Sequence, residues 1–209
     1  MSRFLWVLDA GHGGIINNKY VTKGKRSPIW DDGTQYFEGV GNRNICKKLG
    51  KLLLYNNIEF INICDGIEQD ITLKERCEIA NKIYKKNKNM IFVSIHSDAF
   101  HDERANGYSV YTSKGETKSD KIAEVFINNM KTNFKKHKLR KDITDGDADK
   151  EQNFYVLKNT KSPAILIENF FMTNYRECKL LMNEKFINKL VNTHYLSIQE
   201  IENNEKAFF

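Results

Sequence analysis

The sequence has 209 residues, and 33 Lys and Arg against 27 Asp and Glu give it a formal net charge of +6. Its apolar runs are all shorter than the ~18 residues of a membrane-spanning helix, and 40% hydrophobic with 29% charged residues is typical of a globular protein. The length fits one α/β domain with a substantial core. The basic charge favours an anionic partner, such as nucleic acid, anionic lipid or a bacterial wall polymer.

The first half of the chain alternates short apolar runs with patterns of helical period. The opening run ends in FLWVLDAGHGG, where a histidine stands among three glycines, a residue that permits sharp turns and close backbone approach. The elements predicted in order are a strand at 4–8, a polar loop at 15–37, a helix at 42–56, a strand at 58–64, a helix opened by the capping box of Thr72 and Glu75, and a strand at 90–96.

The second half continues the alternation. The predicted elements are a strand at 107–112, a helix at 118–136, a charged loop at 137–152, strands at 154–157 and 164–168, and a C-terminal helix running to about residue 201. Continuous apolar strands alternating with helices predict a mostly parallel, twisted sheet of about six strands with helices on both faces. We expect one domain over residues 1–209, with its core at about 4–200 and no separate wall-binding domain.

Three predicted strands end in groups that bind or activate. His12 follows the first strand, His96 ends the strand at 90–96, and Glu168 ends the strand at 164–168. Because ligands bind at the carboxyl ends of strands in open α/β sheets, these side chains are expected at one edge. Two histidines and a carboxylate are a ligand set of catalytic zinc, which keeps one position open for water. Glu38 is the best-placed third ligand, and the weaker competitors are Glu59, Asp31 and Asp32.

Several short motifs follow one another along almost the whole chain. They are DAGHGG, the pair of Glu38 and Asn42, TLKERCEIAN, SIHSDAF, NFYVL and AILIENFFMTN. In this order they resemble the zinc-dependent N-acetylmuramoyl-L-alanine amidases of the type-3 group, which occur as bacterial autolysins and phage endolysins. The resemblance spans residues 4–200.

The resemblance implies that His12, Glu38 and His96 hold one zinc ion and that Glu168 is the catalytic glutamate. The ion would polarise the scissile carbonyl and lower the pKa of its water from ~15.7 toward ~7. Glu168 would take a proton from the water and pass it to the departing amine. The resemblance implies that the bond cut joins muramic acid to the L-alanine of the peptidoglycan stem peptide.

Other residues of these motifs are interpreted as support. Arg76 and Asn81 lie on the helix before the second histidine strand and are expected to pack there. The remaining histidines, His101, His137 and His194, are not expected to bind metal.

Alternative functions remain at this stage. A zinc peptidase or deacetylase of peptidoglycan is the runner-up, followed by a non-catalytic wall-binding module and a basic nucleic-acid-binding protein. The basic charge alone suggests nucleic acid, and no recognition motif supports it. We expect peptidoglycan as substrate, no nucleic-acid partner, no stable membrane insertion and a monomer. No secretory signal is recognised, so the expected setting is an endolysin that stays in the cytoplasm until it is released onto the wall.

Overall fold

A single mixed sheet organises the chain. The computed structural model describes residues 2–144 and 146–204; residues 1, 145 and 205–209 lie outside this description, including one position of the predicted loop at 137–152. The strands are β1 (Leu5–Ala10), β2 (Ile15–Ile16), β3 (Lys19–Tyr20), β4 (Phe60–Asn62), β5 (Met90–Asp98), β6 (Ser109–Thr112), β7 (Lys150–Glu151) and β8 (Ala164–Phe171). Six of them form the main sheet in the order β4-β1-β5-β8-β6-β7, and β2 pairs with β3 in a separate hairpin.

The four strands on one side of the main sheet are parallel. β1 lies between β4 and β5, and β5 pairs with β8, all in parallel. β6 runs antiparallel to β8, and the short β7 runs parallel to β6 at the edge. The predicted six-stranded, mostly parallel sheet is therefore confirmed. The carboxyl ends of β1, β5 and β8 meet at one edge, as the strand-end motifs require.

Helices cover both faces of the sheet. They are α1 (Glu38–Tyr55), α2 (Leu73–Lys86), α3 (Lys118–Asn133), α4 (Tyr155–Asn159), α5 (Tyr175–Leu181) and α6 (Glu184–Asn203). α1 connects β1 to β4 on one side, and α2 connects β4 back past β1 to β5. Crossovers between parallel strands are right-handed in nearly all sheets, so two crossovers in opposite directions place α1 and α2 on opposite faces. α6 packs with both α1 and α3, whereas α2 packs with α4.

The core is formed by side chains that the apolar strands and amphipathic helices bury together. Trp6 on β1 and Phe126 on α3 are fully buried, and their rings lie 6.5 Å apart. The Trp6 indole donates a 2.8 Å hydrogen bond to Glu202 near the end of α6, and Glu202 also accepts from the backbone of Arg3 and Phe4. This carboxylate fastens the last helix to the first strand. In the described part of the chain, no helix is both long and apolar enough to cross a membrane.

Four predicted boundaries or element types are corrected by the structure. The prediction of a strand at 154–157 is wrong, since residues 155–159 form α4. α1 begins at Glu38 rather than at residue 42, so Glu38 is its first residue. The strand predicted at 58–64 is shortened to β4, and β8 continues beyond residue 168 to Phe171. A short apolar run does not distinguish a strand from a buried helical turn, which explains the error at 154–157.

Candidate metal centre

A buried ion pair holds the end of β1, just before the first histidine. Asp9 is 1% exposed and accepts hydrogen bonds from Arg76 on α2 and from the Ser94 hydroxyl. The same guanidinium donates to the carbonyl oxygens of Ala10, at 2.8 Å, and His12, at 3.1 Å. Arg76 therefore fixes the backbone that presents His12, which confirms the expected supporting role.

Glu38 lies between the two strand-end histidines. Its Oε1 is 3.3 Å from His12 Nε2 and 3.0 Å from His96 Nδ1, and the carboxylate is 2% exposed. The two imidazole rings are nearly perpendicular, with centroids 5.1 Å apart. Burial raises the pKa of the Glu38 carboxyl, but hydrogen bonds from both histidines outweigh this, so its pKa lies below the ordinary value. The carboxylate is thus held in its ionised form.

One ligand atom from each of these three residues lies within 4.8 Å of the other two. His12, Glu38 and His96 are the only such group of His, Cys, Asp and Glu within residues 2–144 and 146–204. They come from the end of β1, the first turn of α1 and the end of β5. The donor set of two imidazoles and one carboxylate fits a divalent ion of borderline softness, such as zinc, for which three protein ligands leave the fourth tetrahedral position to another ligand.

The glycines of the first motif make this approach possible. A Cβ atom at Gly11 would lie 2.1 Å from Cε1 of His96, and one at Gly39 would lie 1.9 Å from the carbonyl oxygen of Gly13. His12 itself has a φ of +67°, a left-handed conformation uncommon outside glycine. The glycines therefore allow the close approach that the sequence predicted: Gly11 lies against the ring of His96, and Gly13 lies against the first turn of α1.

Glu168 lies beside the three donors without joining their group. It pairs in register with His96 across β5 and β8, so both side chains project from the same face of the sheet. The side chain is half-buried, and its Oε2 atom has no hydrogen-bond partner. Burial and the negative charges of Glu38 and Asp98 raise the pKa of this carboxyl well above its usual range. A carboxyl group of this kind is a strong proton acceptor once it is ionised.

The residue after Glu168 supports the site from the other side of the strand. Asn169 is fully buried, and its amide donates to the His96 carbonyl oxygen at 3.2 Å. Its Oδ1 lies 2.9 Å from Nε2 of the fully buried His194 on α6, and burial lowers the pKa of that imidazole to about 3. His194 is therefore a neutral core residue, and it helps to orient the strand that carries the second histidine.

Sequence reasoning missed a second arginine that supports the site. Arg43, one turn after Gly39 on α1, donates to the His12 carbonyl oxygen at 2.6 Å and to the Gly39 carbonyl oxygen at 3.1 Å. Its guanidinium also donates to the Ile67 carbonyl oxygen at 2.9 Å and 3.2 Å. Two arginines thus hold the same carbonyl. The only available signal was that Arg43 directly follows the motif residue Asn42.

The other candidates lie away from the three donors. Asp31 and Glu59 are exposed, and Asp32 pairs with Lys179 of α5. His101 is exposed and its ring stacks on Phe100 at a centroid distance of 4.1 Å. None of these residues belongs to the donor group found in the described part of the chain, and neither does His137.

The family model described as N-acetylmuramoyl-L-alanine amidase matches residues 7–200, nearly the whole chain. The chain belongs to this amidase family. It is thus an enzyme that hydrolyses the amide bond between N-acetylmuramic acid and L-alanine in peptidoglycan. The match includes both strand-end histidines and both glutamates of the site.

Individual relatives agree with the family. The amidase is similar to the endolysin of Bacillus phage SPP1, with 27% identity over 99% of this chain and 68% of that protein. A putative N-acetylmuramoyl-L-alanine amidase of Buchnera aphidicola is also 27% identical and is covered over 95% of both chains. Among solved structures, the N-acetylmuramoyl-L-alanine amidase from Clostridium difficile 630 superposes with a TM-score of 0.79 at 25% identity, over 97% of this chain and 98% of that one.

Proposed function

We propose that the amidase works with one zinc ion held by His12, Glu38 and His96, and that Glu168 is its general base and acid. The observation that carries this proposal is the convergence of three donor atoms within 4.8 Å from elements far apart in the sequence. The close contact requires glycine at position 11 and a buried carboxylate at the start of α1. A structural histidine pair would not need this arrangement.

The ion, when bound, would act as a Lewis acid on the scissile carbonyl and make water acidic enough to attack near neutral pH. Glu168 accepts the proton of the attacking water with its unpartnered Oε2. It then delivers the proton to the nitrogen of the leaving alanine, so that the peptide departs as a neutral amine. Its place beside His96 in the sheet register puts the carboxylate at the edge where the donors meet.

The Glu168→Gln substitution tests the catalytic assignment. Glutamine keeps the size and polarity of the side chain but cannot accept the proton, so we expect zinc content to stay near one per chain and turnover to fall by at least about 100-fold. The matched control is Glu59→Gln, an exposed carboxylate, which should keep full activity. Wall lysis by Glu168→Gln at the wild-type rate would overturn the assignment.

Metal analysis and product analysis test the rest. His12→Ala should lose zinc, whereas His101→Ala, outside the donor group, should retain it. Digestion of purified peptidoglycan should release new N-terminal alanine. New glucosamine amines, the product of a deacetylase, and other new N-termini, the product of a peptidase, should not appear.

We further propose that the amidase acts as an endolysin, a single catalytic domain over residues 1–209 that degrades the wall as a monomer after release from the cytoplasm. The likeness to a phage endolysin over 99% of this chain supports this role. Expression of the chain in a bacterial host, with and without a separate pore-forming protein, tests it. Lysis only when the membrane is breached is the expected result, and lysis without a pore would contradict it.

A further inference from the structure

A cationic pocket lies on the part of the chain that sequence reasoning left as a charged loop. It has a volume of about 220 Å³ and is lined by Lys138, Leu139, Arg140, Lys141 and Lys150. Four of these five side chains are positively charged at neutral pH.

Backbone pairing places this pocket beside the catalytic edge. Leu139 forms a parallel bridge with Tyr108, and the Arg140 amide donates to the Tyr108 carbonyl oxygen at 2.9 Å. The next residue, Ser109, pairs in register with Glu168. The pocket is therefore separated from the proposed catalytic carboxyl by only one neighbouring strand.

Two of the basic side chains are ordered by aromatic rings. The Arg140 guanidinium lies 5.0 Å from the centroid of the Phe171 ring, on the same strand as Glu168. The Lys150 ammonium lies 5.0 Å from the Tyr111 ring centroid and donates to its hydroxyl at 3.1 Å. Both side chains are half-buried. Ring contacts restrict these long side chains before any ligand binds, which lowers the entropy cost of binding.

Within the described part of the chain, the Arg140 and Lys150 charges of the pocket are not neutralised by a directly contacting carboxylate. The charges of Arg140 and Lys150 act on carboxyl groups of the catalytic edge. Lys150 lowers the pKa of Glu168, and Arg140 and Lys150 both lower the pKa of Asp98, although burial raises each pKa by more. An anionic group of the substrate would be attracted to the same edge.

We propose that the cationic pocket binds a free carboxylate of the stem peptide and that Arg140 and Lys150 determine specificity for acidic stem peptides. This inference rests on the proposed function of the metal centre. The planar guanidinium fork matches a carboxylate in two parallel hydrogen bonds, and the ammonium adds a second charge. A volume of about 220 Å³ accommodates one side-chain or terminal carboxylate rather than a whole disaccharide. The stem peptide is the amine side of the scissile bond and carries such carboxylates.

Paired substrates test this specificity. Soluble muramoyl peptides are compared with the same peptides in which the free carboxylates are converted to carboxamides. We expect wild-type kcat/KM to be about tenfold or more higher for the carboxylate form, because hydrogen bonds to a charged group are stronger than those to a neutral amide. Arg140→Gln and Lys150→Gln should each reduce this preference, and the double variant should bring the ratio near one. Equal losses on both substrates, or no preference in the wild type, would overturn the proposal.

A binding measurement separates this proposal from the catalytic one. Calorimetric titration of the Glu168→Gln variant with the free stem peptide requires no turnover, and Arg140→Gln in that background should weaken binding about tenfold or more. Lys136→Gln, an exposed lysine of the same basic run outside the pocket, is the matched control. If the peptide binds as expected but the wild-type enzyme cleaves no muramoyl–alanine amide, only the proposed chemistry is contradicted. Two other results would contradict only the pocket assignment. In the first, the wild type cleaves the amide but Arg140→Gln does not weaken peptide binding. In the second, Arg140 is needed to bind a wall phosphate polymer and not the peptide.

Discussion

At the residue scale, the site depends on side chains that never contact the donor atoms. Arg76 is 2% exposed and bonds both the buried Asp9 and the carbonyl oxygen of His12. Sequence reasoning named Arg76 as support because of its motif. It could not identify Asp9 as the partner, because the two residues are 67 positions apart. Pairs of this kind depend on the sheet order rather than on local sequence.

The Arg76→Met substitution should be strongly destabilising. Methionine fills much of the volume but leaves the Asp9 carboxylate buried without its counter-ion, which costs about 3–5 kcal/mol of unfolding free energy. Urea denaturation followed by circular dichroism measures this loss. Adding Asp9→Asn should restore part of the stability, since the unpaired charge is removed. Arg104→Met is the matched control, because the Arg104–Asp102 pair is on the surface; a loss for Arg76→Met no larger than for this control would contradict the prediction.

At the scale of elements, the sequence predicted strands and helices with strong periodicity and failed where the elements are short. The predicted helix at 118–136 is α3, whose buried residues Ile122, Phe126 and Met130 recur every four positions along one face. β7 has two polar residues and gives no apolar signal. Residues 155–157 of the segment predicted as a strand belong to α4. Val156 and Leu157 are buried in succession, a pattern that is shared by a strand buried on both faces, so the sequence did not distinguish the two.

The short β7 edge brings together acidic groups whose titration should affect stability. Asp149 is buried, and its Oδ2 lies 2.5 Å from the Thr112 hydroxyl. Burial and the neighbouring Asp147 and Asp120 raise the pKa of Asp149 to about 7. The folded state therefore binds a proton more tightly than the unfolded chain, whose Asp titrates near ~3.9. This contribution to stability is complete below pH ~4 and is lost as the pH rises to about 7.

The Asp149→Asn substitution should remove this pH dependence. Asparagine can still accept the Thr112 hydrogen bond and carries no charge, so the variant should gain stability relative to the wild type between pH 5 and 8, on the order of 1 kcal/mol per pKa unit titrated. Urea unfolding at several pH values measures the difference. Asp142→Asn is the control, because Asp142 is exposed and its pKa is lowered, so it does not titrate in this range. A difference between Asp149→Asn and wild type that stays constant from pH 5 to 8 would refute the assignment.

At the scale of the whole molecule, the sheet order creates the site. His12 follows β1, Glu38 begins α1, and His96 lies near the end of β5. The three side chains meet because β1 and β5 are parallel neighbours. The sequence predicted this edge from the rule for parallel sheets and the donor residues from their chemistry. It could not predict the distances between them, since these depend on how α1 packs against the glycine turn after β1.

Because the donors join three separate elements, metal binding should stabilise the whole fold. The unfolded chain cannot hold the three side chains together, so free zinc at about 100 times its dissociation constant should add about 2.7 kcal/mol to the unfolding free energy. Thermal unfolding with zinc and after chelation measures this gain. Glu168→Gln should retain it, because Glu168 lies outside the donor group, and His12→Ala should lose it. Unfolding temperatures of the wild type that do not change on chelation would show that the three side chains bind no metal, even if the enzyme remained active.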